Sequence, residues 1–291
     1  MDTLVEQFLA YQKDIRNASV NTLNAYAQDL KQFLAYLSKE QICDVQKVTE
    51  TRIQAYLLYQ KKNKKSTATI SRSFVTIKSF LGYLVKKHLL DEDPTERIHP
   101  PKVEKAVPKY ISYEQMVCLL EAPNVKTMQG RRDRAILELL YATGIKVNEL
   151  IQIRLEDVNL SFGSIVVRQK EKERVLPLGQ TVKVILEDYF EDIRDLGLKQ
   201  EYLFVSRLNT PFTRQGIYKL VKEYGKLAGI KEEVSLQIIR NSFTVHMLEN
   251  GADTTSISEI LGISDVLSTQ KFLKKEKTNT FSVYKKSHPR G

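Results

Sequence analysis

Tryptophan is absent, and 291 residues contain only two cysteines, twelve glycines and eight prolines. Cys43 and Cys118 are too few for a disulfide framework or a cysteine-built zinc site, and they point to a reducing, cytoplasmic setting. Scarce glycine and proline, the residues that interrupt helices, leave room for long ones. No apolar stretch approaches the roughly 18 residues that a membrane span needs. The opening MDTLVEQFLAYQKD mixes charge into its apolar pattern, unlike a signal peptide, so no membrane partner is expected. The histidines His88, His99, His246 and His288 show no metal-ligand spacing. There is no internal repeat and no low-complexity tract.

What is present is a hydrophobic fraction of 42%, too high for a disordered chain, and a net charge of +10. That charge comes from 45 Lys and Arg against 35 Asp and Glu. A basic excess favours a polyanionic partner, because each neutralised phosphate releases counterions. By itself the same excess fits a merely soluble basic protein equally well.

The length suggests two domains, and helical periodicity dominates. Residues 1 to about 15 form a short amphipathic pattern. Ser19 reads as an N-cap, and behind it Leu23, Tyr26, Leu30, Phe33, Leu34 and Leu37 fall on one stripe. Thr49 begins a third helix with Ile53, Tyr56, Leu57 and Leu58. Ser66 or Thr67 begins a fourth, with Ile70, Phe74, Ile77, Phe80, Leu81 and Leu84 on one side. Four helices predict a small bundle over residues 1–100. Asp91 to Pro108 carries four prolines among charges and reads as an interdomain linker.

A second domain is expected over 108–291. Ser112 and Gln115 have capping-box spacing. A helix from about Arg131 to Ala142 is stopped by Gly144. Ser164–Arg168 and Arg174–Leu178 read as a hairpin around the charged turn QKEKE. Helices are expected at about 180–196, 213–228, 237–249, 254–261 and 266–274. The fold class is therefore mainly α, in two domains, with a small antiparallel β-sheet in the second.

Lys61, Lys62, Lys64 and Lys65 precede the fourth helix, and Thr67 and Arg72 follow within it. Cations and hydroxyls at a helix start suit phosphate, since unpaired backbone N–H groups add to the attraction. A solvated loop is the plainer reading of any lysine run. A further basic stretch runs from Lys271 to Arg290. His246 lies within an apolar helical pattern and reads as core.

Three segments carry a family resemblance: RDRAILELLYATGIKVNEL (132–150), SLQIIRNSFTVHMLENGAD (235–253) and LGISDVLSTQKF (261–272). They resemble tyrosine recombinases of the XerC/XerD type. The N-terminal SVNTLNAYAQDLKQFLAYL is similar to that family's core-binding domain, and the tail SHPRG to its C-terminal end. The resemblance implies a SAM-like helical bundle and a mainly helical catalytic-type domain that close around duplex DNA and assemble on paired sites. It implies no cofactor and no metal. In the family a tyrosine attacks the scissile phosphate, two arginines hold its oxygens, and a hairpin lysine protonates the leaving oxygen. Two further residues, usually histidines or a tryptophan, assist.

Carried over position by position, this site is heavily substituted. Lys146 stands at the first arginine's place, keeping charge but not the two-pronged fit. Glu149 is the supporting acid. Lys170 or Lys172 matches the hairpin lysine, although counting back from Arg174 puts Gln169 there. Gln237 replaces a histidine, Arg240 is the second arginine, and Ile263 replaces the next histidine. Phe272 stands at the nucleophile. A phenyl ring has no oxygen to attack phosphorus. Tyr284, further along, is a conceivable substitute.

These residues lead to the expectation of a DNA-binding relative that no longer cuts strands. It would act as an architectural or regulatory partner at a recombination site, with copies of itself or beside an active recombinase subunit. Its expected location is cytoplasmic, on a bacterial nucleoid. The expected DNA contacts are Lys61, Lys62, Lys64, Lys65, Thr67, Arg72, Lys146, Lys172 and Arg240. The alternative is an active recombinase with displaced groups. A third reading is a protein-binding module that has lost DNA.

Overall fold

The computed structural model describes residues 1–101, 108–169, 172–195, 197 and 200–263, with backbone only at 169 and 172. The chain divides into two compact units, Met1–Lys105 and Ala106–Gly291.

The first unit is built of α1 (Asp2–Asp14), α2 (Val20–Lys39), α3 (Glu50–Lys62) and α4 (Thr67–Lys86). Hydroxyl caps set two of the starts. Ser19 Oγ accepts the Thr22 N–H and Ser66 Oγ accepts the Thr69 N–H, each at 3.2 Å, satisfying amides that have no partner inside the helix. The apolar stripes meet in one core of Phe8, Leu30, Phe33, Leu37, Ile53, Tyr56, Phe74, Ile77, Phe80 and Leu84. Each such buried side chain contributes about 1.5–3 kcal/mol of transfer free energy. Phe8 meets Phe80 edge-on, with ring centres 5.5 Å apart.

The proline-rich segment does not begin as a free linker. Leu90, Thr95 and Ile98 are buried in the first unit. Asp93 holds this turn by accepting the Thr95 N–H and hydroxyl at 2.8 and 2.6 Å. Two apolar side chains find core contact there, which the prolines around them concealed.

The second unit opens with α5 (Tyr113–Glu121), whose Ser112–Gln115 capping box is present in both directions. α6 (Met128–Thr143) starts three residues earlier than its apolar pattern suggests, because Thr127 caps it. This helix is buried nearly all round and packs on α5, α8 and α10. It ends at Gly144 in the left-handed region, φ 56°. A Cβ there would lie 2.6 Å from Leu261 and 2.7 Å from Phe243. Next come the short α7 (Val147–Leu150) and an antiparallel sheet of β1 (Val158–Asn159), β2 (Ser164–Gln169) and β3 (Lys172–Pro177). Periodicity gave no sign of α7 or β1, which are too short to show any.

The hairpin turn corrects the sequence reading. Gln169 pairs with Lys172, so the loop is two residues rather than the five of QKEKE. Strand pairing continues through charged residues because it is made by the backbone, which side-chain pattern does not report. Along β2, Ile165 and Val167 face the core and Arg168 faces solvent. The unit closes with α8 (Gln180–Asp195), α9 (Arg214–Leu227), α10 (Leu236–Glu249) and α11 (Thr254–Leu261). The helix expected at 266–274 lies outside the described residues. Among those that are described, no helix is long and apolar enough to cross a membrane.

Candidate functional site

Chain geometry at the end of α6 gathers three cations around one carboxylate. The left-handed turn at Gly144 reverses the chain into Lys146, which opens α7, and Glu149 follows one turn later. Glu149 reaches back to accept the Lys146 backbone N–H at 2.9 Å. Arg174, on β3, meets both Glu149 oxygens in two parallel bonds of 2.9 Å. Its Nε donates to the Ile260 carbonyl at the end of α11. Arg240, on α10, donates to the carbonyls of Gly144 and Leu261, the latter at 2.7 Å. The hairpin, α6, α10 and α11 are thus joined at one point.

From sequence Arg240 is expected to contact phosphate. Its hydrogen bonds go to backbone carbonyls, and Arg174 braces Glu149. Arg174 served only as a counting mark in the sequence. Its partner lies on another element, so nothing local announces the pair.

The electrostatics follow from burial. Burial pushes the Glu149 carboxyl up, but the Arg174 hydrogen bonds, the Lys146 N–H and both neighbouring charges outweigh it and hold it below its ordinary value. Lys146 is lowered, chiefly by burial, with Arg240 and Arg174 adding to the effect against the pull of Glu149. Burial brings Arg240 down to about 10, with Glu149 opposing and Arg174 assisting. At about 10, Arg240 stays charged at neutral pH. Three basic groups thus face one carboxylate, an arrangement that attracts an anion with several oxygens.

Gln237 is exposed on α10, one turn before Arg240, and its Nε2 donates to Asn241 at 2.8 Å. Ile263 packs against Phe243, Ile257 and Leu261 as an apolar filler. His246 is buried between Tyr141 and the Ile111 carbonyl, as its apolar surroundings predict. Phe272, Lys170, Tyr284 and the C-terminal lysines lie outside the described residues, as does the Lys172 side chain. Among the described residues no group of histidine, cysteine or acidic side chains could hold a metal ion.

In the first unit Lys61 and Lys62 end α3, Lys64 sits in the left-handed region at φ 57°, and Lys65 precedes the Ser66 cap. These lysines and Thr67 are exposed. Arg72 has a further task. It pairs with the buried Asp29 of α2 at 2.9 Å, and Thr76 bonds the other Asp29 oxygen, so α4 is tied to α2.

A helical bundle, followed by a mainly helical unit with a small sheet and a basic cluster where hairpin and helix ends converge, defines an integrase-type architecture. Residues 5–88 match the family model described as phage integrase, N-terminal SAM-like domain, and residues 109–279 match the phage integrase family. The chain belongs to the phage integrase family, the tyrosine recombinases. It is 39% identical over 294 residues to the tyrosine recombinase XerD of Staphylococcus haemolyticus strain JCSC1435, covering 100% of each. The fold is shared with the XerH site-specific recombinase bound to its difH substrate, at TM-score 0.76 and 21% identity over 94% of this chain and 82% of that one. A lambda integrase tetramer bound to a Holliday junction gives TM-score 0.75 and 15% identity, over 93% and 76%.

Proposed function

We propose that this chain binds duplex DNA as a member of its family without cutting it, as an architectural or regulatory partner at a recombination site. The observation that carries the binding half is the basic cluster of Lys146, Arg174 and Arg240 around a single carboxylate. Its excess positive charge suits a backbone phosphate, and Lys61, Lys62, Lys64, Lys65 and Thr67 add a second basic surface. Arg72 and Lys172 belong to the proposed contacts as well. Support comes from the relatives: the solved XerH and lambda integrase structures hold DNA, the latter as a tetramer. Partners are accordingly other copies or an active recombinase subunit, in a bacterial cytoplasm. Residues 1–100 serve as the core-binding part and 108–291 as the catalytic-type part.

The loss of cutting rests on Phe272 at the nucleophile's place in the sequence, together with Gln237 and Ile263 at the histidine places. Without a hydroxyl there is no covalent phosphotyrosine route. Gel-shift assays should show tight binding that weakens steeply with salt, and a suicide DNA substrate should yield no denaturation-resistant adduct. No affinity at low salt would sink the binding half; an adduct would sink the inactive half.

A second reading is favoured by the full-length 39% identity to a tyrosine recombinase. There the chain cuts DNA with a displaced nucleophile such as Tyr284. The adduct assay on Tyr284→Phe separates it, since an adduct that disappears in that variant assigns the role.

A further inference from the structure

We infer that the cavity between α2 and α3 of the first unit is a binding site for a nucleoside phosphate, separate from the basic cluster of the second unit.

The cavity has a volume of about 440 Å³, a size that suits a small ligand. Tyr36, Tyr56 and Tyr59 wall it. Their ring centres are 5.2 Å apart for Tyr36 and Tyr56, and 5.0 Å for Tyr36 and Tyr59. Clustered tyrosines offer apolar surface on which a planar heterocycle stacks, because every base has a π-face.

Gln60 adds a polar edge. It lines the same cavity and is only 4% exposed. Its Nε2 donates to the Tyr56 hydroxyl at 2.8 Å and to Ser73 Oγ at 3.2 Å. Its Oε1 is buried and has no partner among the described residues. A hydroxyl donates as readily as it accepts, so turning the amide over would seat Oε1 on the two hydroxyls and leave Nε2 alone. Either way one end of a buried amide lacks a protein partner, which folded chains avoid unless something else meets it. The edge of a base carries both donors and acceptors, and so meets the amide in either sense.

Charge completes the reading. Lys39 closes α2 and Lys65 precedes the Ser66 cap; both are exposed and both line the cavity. Among the described residues no acidic side chain lines it. Tyrosine clusters also hold organic cations, but two lysines without a carboxylate oppose one. A flat ring with a polar edge and an attached anion answers all three features. That chemistry comes either from a free nucleotide or from an unpaired base in a DNA strand.

Equilibrium dialysis of the full chain at low salt, against AMP, GMP, CMP and UMP in turn, tests this. At least one should bind saturably, its nucleoside should bind more weakly, and equimolar inorganic phosphate should not displace it. Tyr59→Ala, at a position 40% exposed, should weaken binding about tenfold, the worth of one stacked base. Lys39→Gln on the surface should weaken the nucleotide and leave the nucleoside unchanged. Binding by none of the four, full displacement by phosphate, or indifference to both substitutions would overturn the site. A single-stranded oligonucleotide that displaces the mononucleotide assigns the base to a DNA strand; failure to displace it assigns a free nucleotide. Duplex affinity should be unchanged in Tyr59→Ala, so the DNA-binding reading stands or falls separately.

Discussion

Both units bury carboxylates against arginines, and two of these acids, Asp29 in the first unit and Glu149 in the second, are shifted in opposite directions. Asp29 in the first unit receives one N–H from a half-exposed Arg72 and one hydroxyl from Thr76. Burial dominates, and the carboxyl is held above its ordinary value despite both partners. Glu149 in the second unit is as deeply buried, but it takes two bonds from a well-buried Arg174 and one from the Lys146 backbone, with a second cation nearby. Its partners win, and it is held low. Desolvation is the largest single influence in both. The number of donors, and how far water is kept from them, decides the sign. The acid in the first unit fastens two helices; the one in the second organises a cluster of positive charge.

The contrast can be broken most sharply at Glu149. Glu149→Ala leaves Arg174, Lys146 and Arg240 facing one another with no carboxylate, and should cost about 3–5 kcal/mol in denaturant unfolding. A loss under about 1 kcal/mol would show the cluster to be well solvated.

Gly144→Ala should come next. The left-handed backbone costs roughly 1–2 kcal/mol for a residue with a Cβ. Contact with Leu261 and Phe243 adds about 1–3 kcal/mol of overpacking. The melting temperature should drop, and DNA binding should weaken with it, since Arg240 is seated on this carbonyl.

Acid titration sharpens the comparison further. Glu149 has a folded pKa below its unfolded value. Its contribution is therefore full above about pH 4.3 and is lost as pH falls through the depressed folded value. Asp29 runs the other way. Its contribution is full below about pH 3.9 and is lost as pH rises through the raised folded value. The stability gap between the unmodified chain and Glu149→Gln should close on acidification, whereas the gap to Asp29→Asn should move in favour of the unmodified chain. Parallel curves would contradict the opposed shifts.

The smallest effect is expected for Asp29→Asn at neutral pH, within about 1 kcal/mol. The substitution removes a poorly compensated buried charge while giving up a pair whose arginine is half in water. A cost equal to that of Glu149→Gln would erase the distinction between the units.

Much of this was legible residue by residue. Ser19, Ser66 and Ser112 announced their helices because a cap acts within one turn, and His246 announced its burial because its neighbours on the helix are apolar. The hairpin turn was misjudged because charged residues at the end of a ladder pair through their backbones, which side-chain pattern does not report. Arg72 looked like a phosphate contact, and its bond to Asp29 was invisible across 43 positions.

Local order in the sequence determined the helices, their buried faces and their caps, since each depends on neighbours within about four positions. The missing hydroxyl at Phe272 is equally a matter of sequence. Only the tertiary structure decided which cation would hold Glu149, and where Arg240 and Gln237 would turn their N–H groups. Those outcomes depend on distances between elements far apart in the chain, and on how much water their packing leaves between charges.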